Sequence, residues 1–166
     1  MQTQNTAEEI RDRLSGIADL YHRLVLVVGP SKSGKTTVLR ALAAADGLPL
    51  VNVGVELSRR LLDLTERQRA LQVPRLLEEA VGSICADVVL LDNTEILFAS
   101  PLKQDPLRLL QALSRNRTIV AAWLGTVCDG YLTYAIPEHP EFRRYPSDGL
   151  VIVPLDQGDR AEQVQR

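Results

Sequence analysis

Residues Gly29, Pro30, Ser31, Lys32, Ser33, Gly34, Lys35 and Thr36 spell G-x-x-x-x-G-K-T, and their surroundings give the letters a physical meaning. Leu24 to Val28 is a short apolar strand that runs directly into Gly29. The residues from Thr37 onward, Thr-Val-Leu-Arg-Ala-Leu-Ala-Ala-Ala, propagate as a helix. Gly29 and Gly34 let the backbone curl so that successive N–H groups point at anionic oxygens. Lys35 is expected to point at ligand rather than core and to reach terminal phosphates, and the Thr36 hydroxyl is placed to ligate Mg2+. The helix dipole faces the same anion. A chance Gly-rich turn would satisfy the letters but not the strand before and the helix after. The implied chemistry is the binding of a nucleoside polyphosphate with magnesium.

Such a site needs an acidic residue at the tip of a neighbouring buried strand. Asp87-Val-Val-Leu-Leu-Asp92 supplies one, with Asp92 at its C-terminal end, in the Walker B pattern. A strand-capping aspartate would look the same in isolation; its place downstream of a phosphate loop gives it weight. The next residue, Asn93, is a neutral amide, which orients water but cannot take its proton. Glu95, in the same turn, and Glu56, after the second strand, are the carboxylates that could serve as base, although each alone is an ordinary surface acid. Thr126 follows the fourth strand, where a polar residue could sense a γ-phosphate. Arg143 and Arg144, or Arg115 and Arg117 as a second pair, could reach into a neighbouring subunit's site. Solvated arginine is the default for any one of them. No Asn-Lys-x-Asp signature for guanine is present, which leans toward ATP.

The elements that must position these residues alternate. A first helix is expected over about 7–22, opened by a capping box in Thr6-Ala-Glu-Glu9 and striped with Ile10, Leu14, Ile17 and Tyr21. Its end near Ile17 to Leu20 could wall an adenine pocket beside the loop. A helix from Lys35 to Ala45 should end at Gly47 as a left-handed cap. Leu50 to Val53 reads as strand, Glu56 to Leu64 as a short helix, and Pro74 as the first-turn opener of another helix running to about Val81. Asp105 should cap a helix beginning at Pro106. Thr118 to Trp123 is the fourth strand, 126–147 reads as irregular, and Gly149 to Val153 is the fifth strand. Strands alternating with helices imply right-handed crossovers and a parallel sheet.

The bulk properties fit this picture. The chain has 166 residues, 45% of them hydrophobic, enough for one domain with a real core. No apolar run approaches the ~20 residues of a membrane span. The polar, acidic N-terminus is neither signal nor transit peptide, so a cytoplasmic location is expected. Cys85 and Cys128 lie among apolar neighbours without metal-ligand spacing and are expected to be buried reduced thiols. The net charge of −2 gives no direct support to nucleic-acid coating. After Pro154 the tail (155–166) turns polar.

Phosphate loop, Walker B strand, a fourth strand with a polar exit and an arginine-bearing segment before the fifth strand together resemble the AAA+ ATPase core from Leu24 to Val153. The resemblance implies a P-loop NTPase α/β three-layer sandwich with a five-stranded parallel sheet, here an AAA+-like core lacking the helical lid. Asn93 departs from the family, which usually has Glu at that position. Three segments carry a closer resemblance: Val51-Asn-Val-Gly-Val-Glu-Leu-Ser-Arg-Arg-Leu-Leu, Leu90-Leu-Asp-Asn-Thr-Glu-Ile-Leu-Phe, and Lys103-Gln-Asp-Pro-Leu-Arg-Leu-Leu-Gln-Ala-Leu-Ser-Arg-Asn-Arg-Thr. They are similar to BrxF, the small P-loop family of type III BREX bacteriophage-exclusion systems. That similarity implies a bacterial anti-phage role beside a larger ATPase, a DNA methyltransferase and a phosphatase-like protein. Two readings stand: an oligomeric ATPase completed in trans by arginine, and a nucleotide-gated adaptor that hydrolyses slowly and regulates a partner or DNA. A small-molecule kinase is weaker, having no Arg-rich lid.

Overall fold

In the computed structural model, residues 2–135 and 138–155 are described, and every structural statement concerns these. The elements in chain order are α1 (Gln2–Ser15), β1 (Leu24–Gly29), α2 (Lys35–Asp46), β2 (Leu50–Asn52), α3 (Val53–Leu61), α4 (Glu66–Gly82) and β3 (Val88–Asp92). Two 3-10 helices follow, Thr94–Phe98 and Ser100–Leu102, and then α5 (Pro106–Leu113), β4 (Thr118–Cys128), β5 (Tyr131–Tyr134), β6 (Arg143–Pro146) and β7 (Val151–Pro154). Five strands pair in parallel in the order β2-β3-β4-β1-β7.

Side-chain alternation along these strands divides the core into two layers. Leu24, Leu26 and Val28 of β1 join Val89 and Leu91 of β3 and Ile119, Ala121 and Trp123 of β4 on the face covered by α3, α4 and α5. Val25, Val27, Leu90, Val120 and Ala122 pack on the opposite face with Val38, Leu39 and Leu42 of α2 and Ile10 of α1. The result is the expected three-layer α/β sandwich. Among the described residues, the connection from β4 to β7 contains no helix. The N-terminal helix α1 lies on that face instead, tied to the end of α2 by Arg11, whose Nε donates to Asp46 Oδ2 at 2.9 Å.

Several local expectations hold. Gly47 has φ +65° and caps α2 by donating to the Ala43 carbonyl. Asp105 accepts from the Arg108 N–H at the start of α5, with Pro106 in the first turn.

Others are corrected. The first helix starts earlier, at Gln2, and ends at Ser15, so Thr6 is an interior residue. Its hydroxyl donates to the Gln2 carbonyl one turn back rather than capping. Pro74 does not open a helix; it sits inside α4, which begins after Thr65 in a reciprocal capping box with Gln68. An interior proline frees the carbonyl four residues earlier. Here that carbonyl, of Ala70, accepts Gln104 Nε2 at 2.7 Å. The cysteines are exposed, not buried: Cys85 lies in the loop between α4 and β3, and Cys128 is the last residue of β4.

The largest correction concerns 126–147. β4 does not stop at Trp123 but continues to Cys128, and β5 and β6 pair antiparallel beyond it. The turn between β4 and β5 is Asp129-Gly130, with φ +52° and +80°. Two successive positive φ values are what a two-residue hairpin of matching twist requires. The fold therefore has a hairpin where the sequence reading expects irregular chain.

Candidate nucleotide site

All five parallel strands point their C-terminal ends the same way, so the loops after β1, β2, β3 and β4 gather at one edge of the sheet. The phosphate loop leaves β1 at Gly29. A Cβ on Gly29 would lie 2.4 Å from Ser33 Oγ and 3.1 Å from Leu155 Cβ, so the loop folds back on its own entrance. Gly34 has φ +96° and Lys32 φ +61°, the left-handed steps that curl the main chain. The Ser33 N–H donates to the Pro30 carbonyl at 3.2 Å, and the Val38 N–H to Gly34 at 3.0 Å, so the helix starts from within the loop. Thr36 and Thr37 occupy its first turn, Thr36 half-buried and Thr37 exposed. Ser31 and Lys32 form the exposed crest.

Lys35 does not point outward. Only 8% exposed, its Nζ donates to the carbonyls of Gly29 (2.8 Å) and Pro30 (2.7 Å) and to Ser33 Oγ (3.3 Å). Burial pushes its pKa below the ordinary lysine value, opposed by the attraction of Glu95 and then of Asp92. Both carboxylates act on the loop lysine, and Glu95 acts more strongly.

Asp92 ends β3 at 7% exposure. By strand alternation it shares the face of Leu90, the α2 side. Its Oδ1 accepts the Asn93 N–H at 2.9 Å. β4 lies between β1 and β3 in the sheet, and the register that pairs Leu91 with Ala121 and Val27 with Ala122 places Asp92 across β4 from Val27, two residues before the loop's entrance at Gly29. One carboxylate and one hydroxyl, Asp92 and Thr36, are hard oxygen donors of the kind that hold magnesium together with phosphate and water. No cluster of three or more His, Cys, Asp or Glu that could hold a metal by itself occurs among the described residues. The donor set thus fits a magnesium brought in with a nucleotide.

Asn93 has φ +52° and ψ +52°. That left-handed conformation is one asparagine adopts more readily than most residues. The amide position therefore has a backbone reason. Thr94, almost fully buried, donates its hydroxyl to the Ala122 carbonyl and pins the turn to β4. Glu95 is half-buried in the 3-10 helix that follows. Glu56 lies in the first turn of α3 beside Arg60, 3.7 Å from its Nε, and Arg60 also reaches Glu79 of α4.

Thr126 lies past the sheet proper, in the hairpin, its hydroxyl 2.9 Å from that of Thr133. Arg143 and Arg144 stand on β6, at the same end of the sheet as the phosphate loop. Arg143 Nη2 donates to the Gln104 carbonyl at 3.0 Å, and the Arg144 guanidinium lies 3.5 Å from the Tyr131 ring centroid. Arg115 and Arg117 are at the other end. Arg117 Nη1 donates to the carbonyls of Val81 (2.9 Å) and Ile84 (3.0 Å), and Arg115 lies 5.6 Å over Tyr21. Ile17 to Leu20 precede β1 and so also lie at that far end. The six residues of β1, at ~3.3 Å each, separate them from the loop, and they do not wall its pocket. The residue beside the loop is Leu155, whose N–H donates to the Val28 carbonyl at 2.7 Å.

Sequence reasoning missed the aromatic pin beneath Glu95. Phe98 stacks on Tyr134 at 3.6 Å and meets Trp123 edge-on at 4.9 Å. Trp123 Nε1 donates to the Thr133 carbonyl at 3.1 Å. The hairpin is thereby fixed to the 3-10 helix that carries Glu95. The Asp-Gly pair between alternating residues was the available signal.

No protein-family model and no curated protein matches this chain. Among solved structures it is similar to AMPPCP-bound DnaA from Aquifex aeolicus, with 18% identity over 74% of this chain and 40% of that one, at a TM-score of 0.38. It is similar to a DNA replication initiation factor at 18% identity, covering 69% and 36% of the two chains, TM-score 0.37. It is also similar to C. elegans PCH-2 at 18% identity, covering 93% and 42%, TM-score 0.41. The chain spans less than half the length of each. Similarity at this level leaves ligand, activity and partners to this chain's own residues. No helix among the described residues is long and apolar enough to cross a membrane.

Proposed function

We propose that this protein binds Mg-ATP at the β1–α2 loop and hydrolyses it slowly, as an AAA+-like oligomeric component of a BREX anti-phage system. The observation that carries the nucleotide reading is Lys35, buried against the Gly29 and Pro30 carbonyls and the Ser33 hydroxyl at the loop's entrance. A phosphate would exchange those carbonyls for charged oxygens, a stronger partner for an ammonium. Gly29 to Thr37 would form the cradle, with Thr36 and Asp92 as the magnesium ligands. Magnesium would supply charge neutralisation at the phosphates. Glu95 is the better-placed base, with Asn93 orienting water; Glu56 is engaged with Arg60. The BREX assignment, with its larger ATPase, methyltransferase and phosphatase-like partners, rests on the three sequence segments alone.

The second reading, a nucleotide-gated adaptor with little turnover, is favoured by Asn93. A glutamate there would meet the left-handed backbone at a cost of ~1–2 kcal/mol. Calorimetry with ATP, with and without magnesium, tests the common part. Lys35→Ala should weaken binding by ~10- to 100-fold, the loss of charged hydrogen bonds worth ~1.5–3 kcal/mol. Asp92→Ala should abolish the magnesium dependence. Equal affinity in Lys35→Ala, with an unchanged circular dichroism spectrum, would remove the nucleotide reading. Steady-state turnover of wild type then separates ATPase from adaptor.

A further inference from the structure

An apolar groove runs along the same edge of the sheet, on the α3–α4 side, and the nucleotide chemistry does not use it. One part, about 540 Å³, lies between Leu61 and Leu62 at the end of α3 and Ile96, Ala99 and Leu102 along the segment of the two 3-10 helices. A second hollow of about 560 Å³, under Ala70 and Leu71 of α4, continues it; the two share Glu66 and Pro101. At its mouth Leu62 is 72% exposed and Leu71 71% exposed. Large aliphatic side chains held open to water beside an apolar hollow mark an interaction site.

The groove is preformed. Gln104 Nε2 bridges the Ala70 and Leu102 carbonyls (2.7 and 2.6 Å), joining one wall to the other. Arg69 donates to the carbonyls of Leu64 (3.0 Å) and Leu62 (3.4 Å) and holds the end of α3. A proline inside α4 is a local cost, and its consequence is this bridge. The walls are helical with no strand edge, so an added β-strand has nothing to pair with, and recognition falls to side chains. The charge of the groove lining is unbalanced: Arg67, Arg69 and Lys103 stand with a single lining carboxylate, Glu66, while Asp63 beside Leu62 and Glu141, which accepts the Ser100 N–H at 3.3 Å, lie outside the lining. None of the three cations has an ion pair among the described residues.

We infer that this groove docks an amphipathic helix of a partner protein, with aliphatic anchors filling the two hollows and carboxylates flanking them to meet Arg67, Arg69 and Lys103. Ile96 in its floor is next to Glu95, which acts on Lys35. Resting on the nucleotide reading above, an occupant would therefore touch the short helix that carries the proposed base and alter turnover.

The probe is a labelled, helix-stabilised peptide with Leu at i, i+3 and i+7 and glutamates on both flanks, beside the same peptide with lysines. Fluorescence anisotropy is measured on wild type and on Leu62→Glu/Leu71→Glu, two exposed positions that leave the core intact. The expected result is saturable binding of the acidic peptide, weakened by about 10-fold or more in the variant and for the lysine peptide. The Ile96 methyl resonance of wild type should shift on titration. Equal affinity for wild type and variant, no saturation, or tighter binding of the lysine peptide would overturn the inference. A wild-type dimer that the variant abolishes, seen by sedimentation, would also overturn it by giving the groove to a second copy. ATP affinity is measured on both proteins. If ATP binds and the acidic peptide does not, the groove alone fails. If ATP does not bind, the nucleotide reading fails, and the peptide titration still decides the groove.

Discussion

β4 is employed differently at its two ends. At its start, Arg117 turns back and closes the end of α4 with two carbonyl contacts, while Arg23 and His22 reach the carbonyls of Arg115 and Gln111 at the end of α5. That end is a set of helix stops fastened to strand starts. At its finish, β4 passes the phosphate loop and Asp92, then leaves the sheet as a hairpin carrying Arg143 and Arg144. The cations here meet loop carbonyls or an aromatic ring, Lys35 those of Gly29 and Pro30, Arg143 that of Gln104 and Arg144 the Tyr131 ring, rather than helix ends. An arginine near a strand end is thus ambiguous in sequence and becomes distinct only through what it touches. At the start of β4 the arginines are committed to helix ends; at its finish Arg143 and Arg144 are not.

The hairpin gives the sharpest test of that division. Gly125 stands where β4 changes from parallel to antiparallel pairing. A Cβ there would lie 1.8 Å from the Thr133 carbonyl oxygen, with Trp123 Nε1 at 3.1 Å. Main chain cannot move aside without breaking the pairing of Gly125 with Tyr134. Gly125→Ala should therefore cost ~3 kcal/mol, at the upper end for overpacking, read as a lowered Tm with loss of the Trp123 near-ultraviolet signal. Unchanged stability would mean that the hairpin is not anchored here and that the finish of β4 is only a loose extension.

What was legible in the sequence follows the same line. The phosphate loop, Asp92, Gly47 and Asp105-Pro106 are local signals, each complete within a few residues of chain. Asp129-Gly130 is local too, but the prolines at 137, 140 and 146 mask the alternation around it. Pro74 could not be placed correctly, because its tolerance depends on Gln104, thirty positions away by number. Nor is the attraction of Glu95 on Lys35 legible in the sequence, since only the folded sheet brings the turn after β3 level with the loop after β1. The mislocation of Ile17 to Leu20 came from treating nearness in sequence to β1 as nearness to its far end.

At the start of β4, Arg117→Ala should lower stability by ~1–3 kcal/mol, the range for a charged hydrogen bond with buried acceptors. ATP affinity, set at the opposite edge, should be unchanged. Chemical denaturation and calorimetry on one preparation check both. A variant of normal stability with impaired turnover would reverse the roles assigned to the two ends and restore the Arg115–Arg117 pair as the one acting on nucleotide.

The smallest effect on stability, and the most informative one on function, belongs to the finish. Arg144 lies over Tyr131 at the surface, a contact worth ~0.5–1 kcal/mol in exposed settings. Arg143 makes one carbonyl contact, at 3.0 Å to Gln104, while exposed. Neither is committed to holding a helix end, so Arg143→Ala and Arg144→Ala should each change stability by ~1 kcal/mol or less. Transition-state charge at a γ-phosphate is commonly met by an arginine from outside the binding loop. If one of these two serves in a neighbouring subunit, wild-type turnover per subunit should rise with protein concentration, and the relevant variant should lose that rise while still binding ATP. Mixing it with Lys35→Ala subunits, which keep their arginines, at an ATP concentration too low to load their weakened sites, should restore turnover. Turnover independent of concentration, with sedimentation showing a monomer in a non-hydrolysable analogue, would leave the adaptor reading in front and make the hairpin arginines a surface for something other than a second copy.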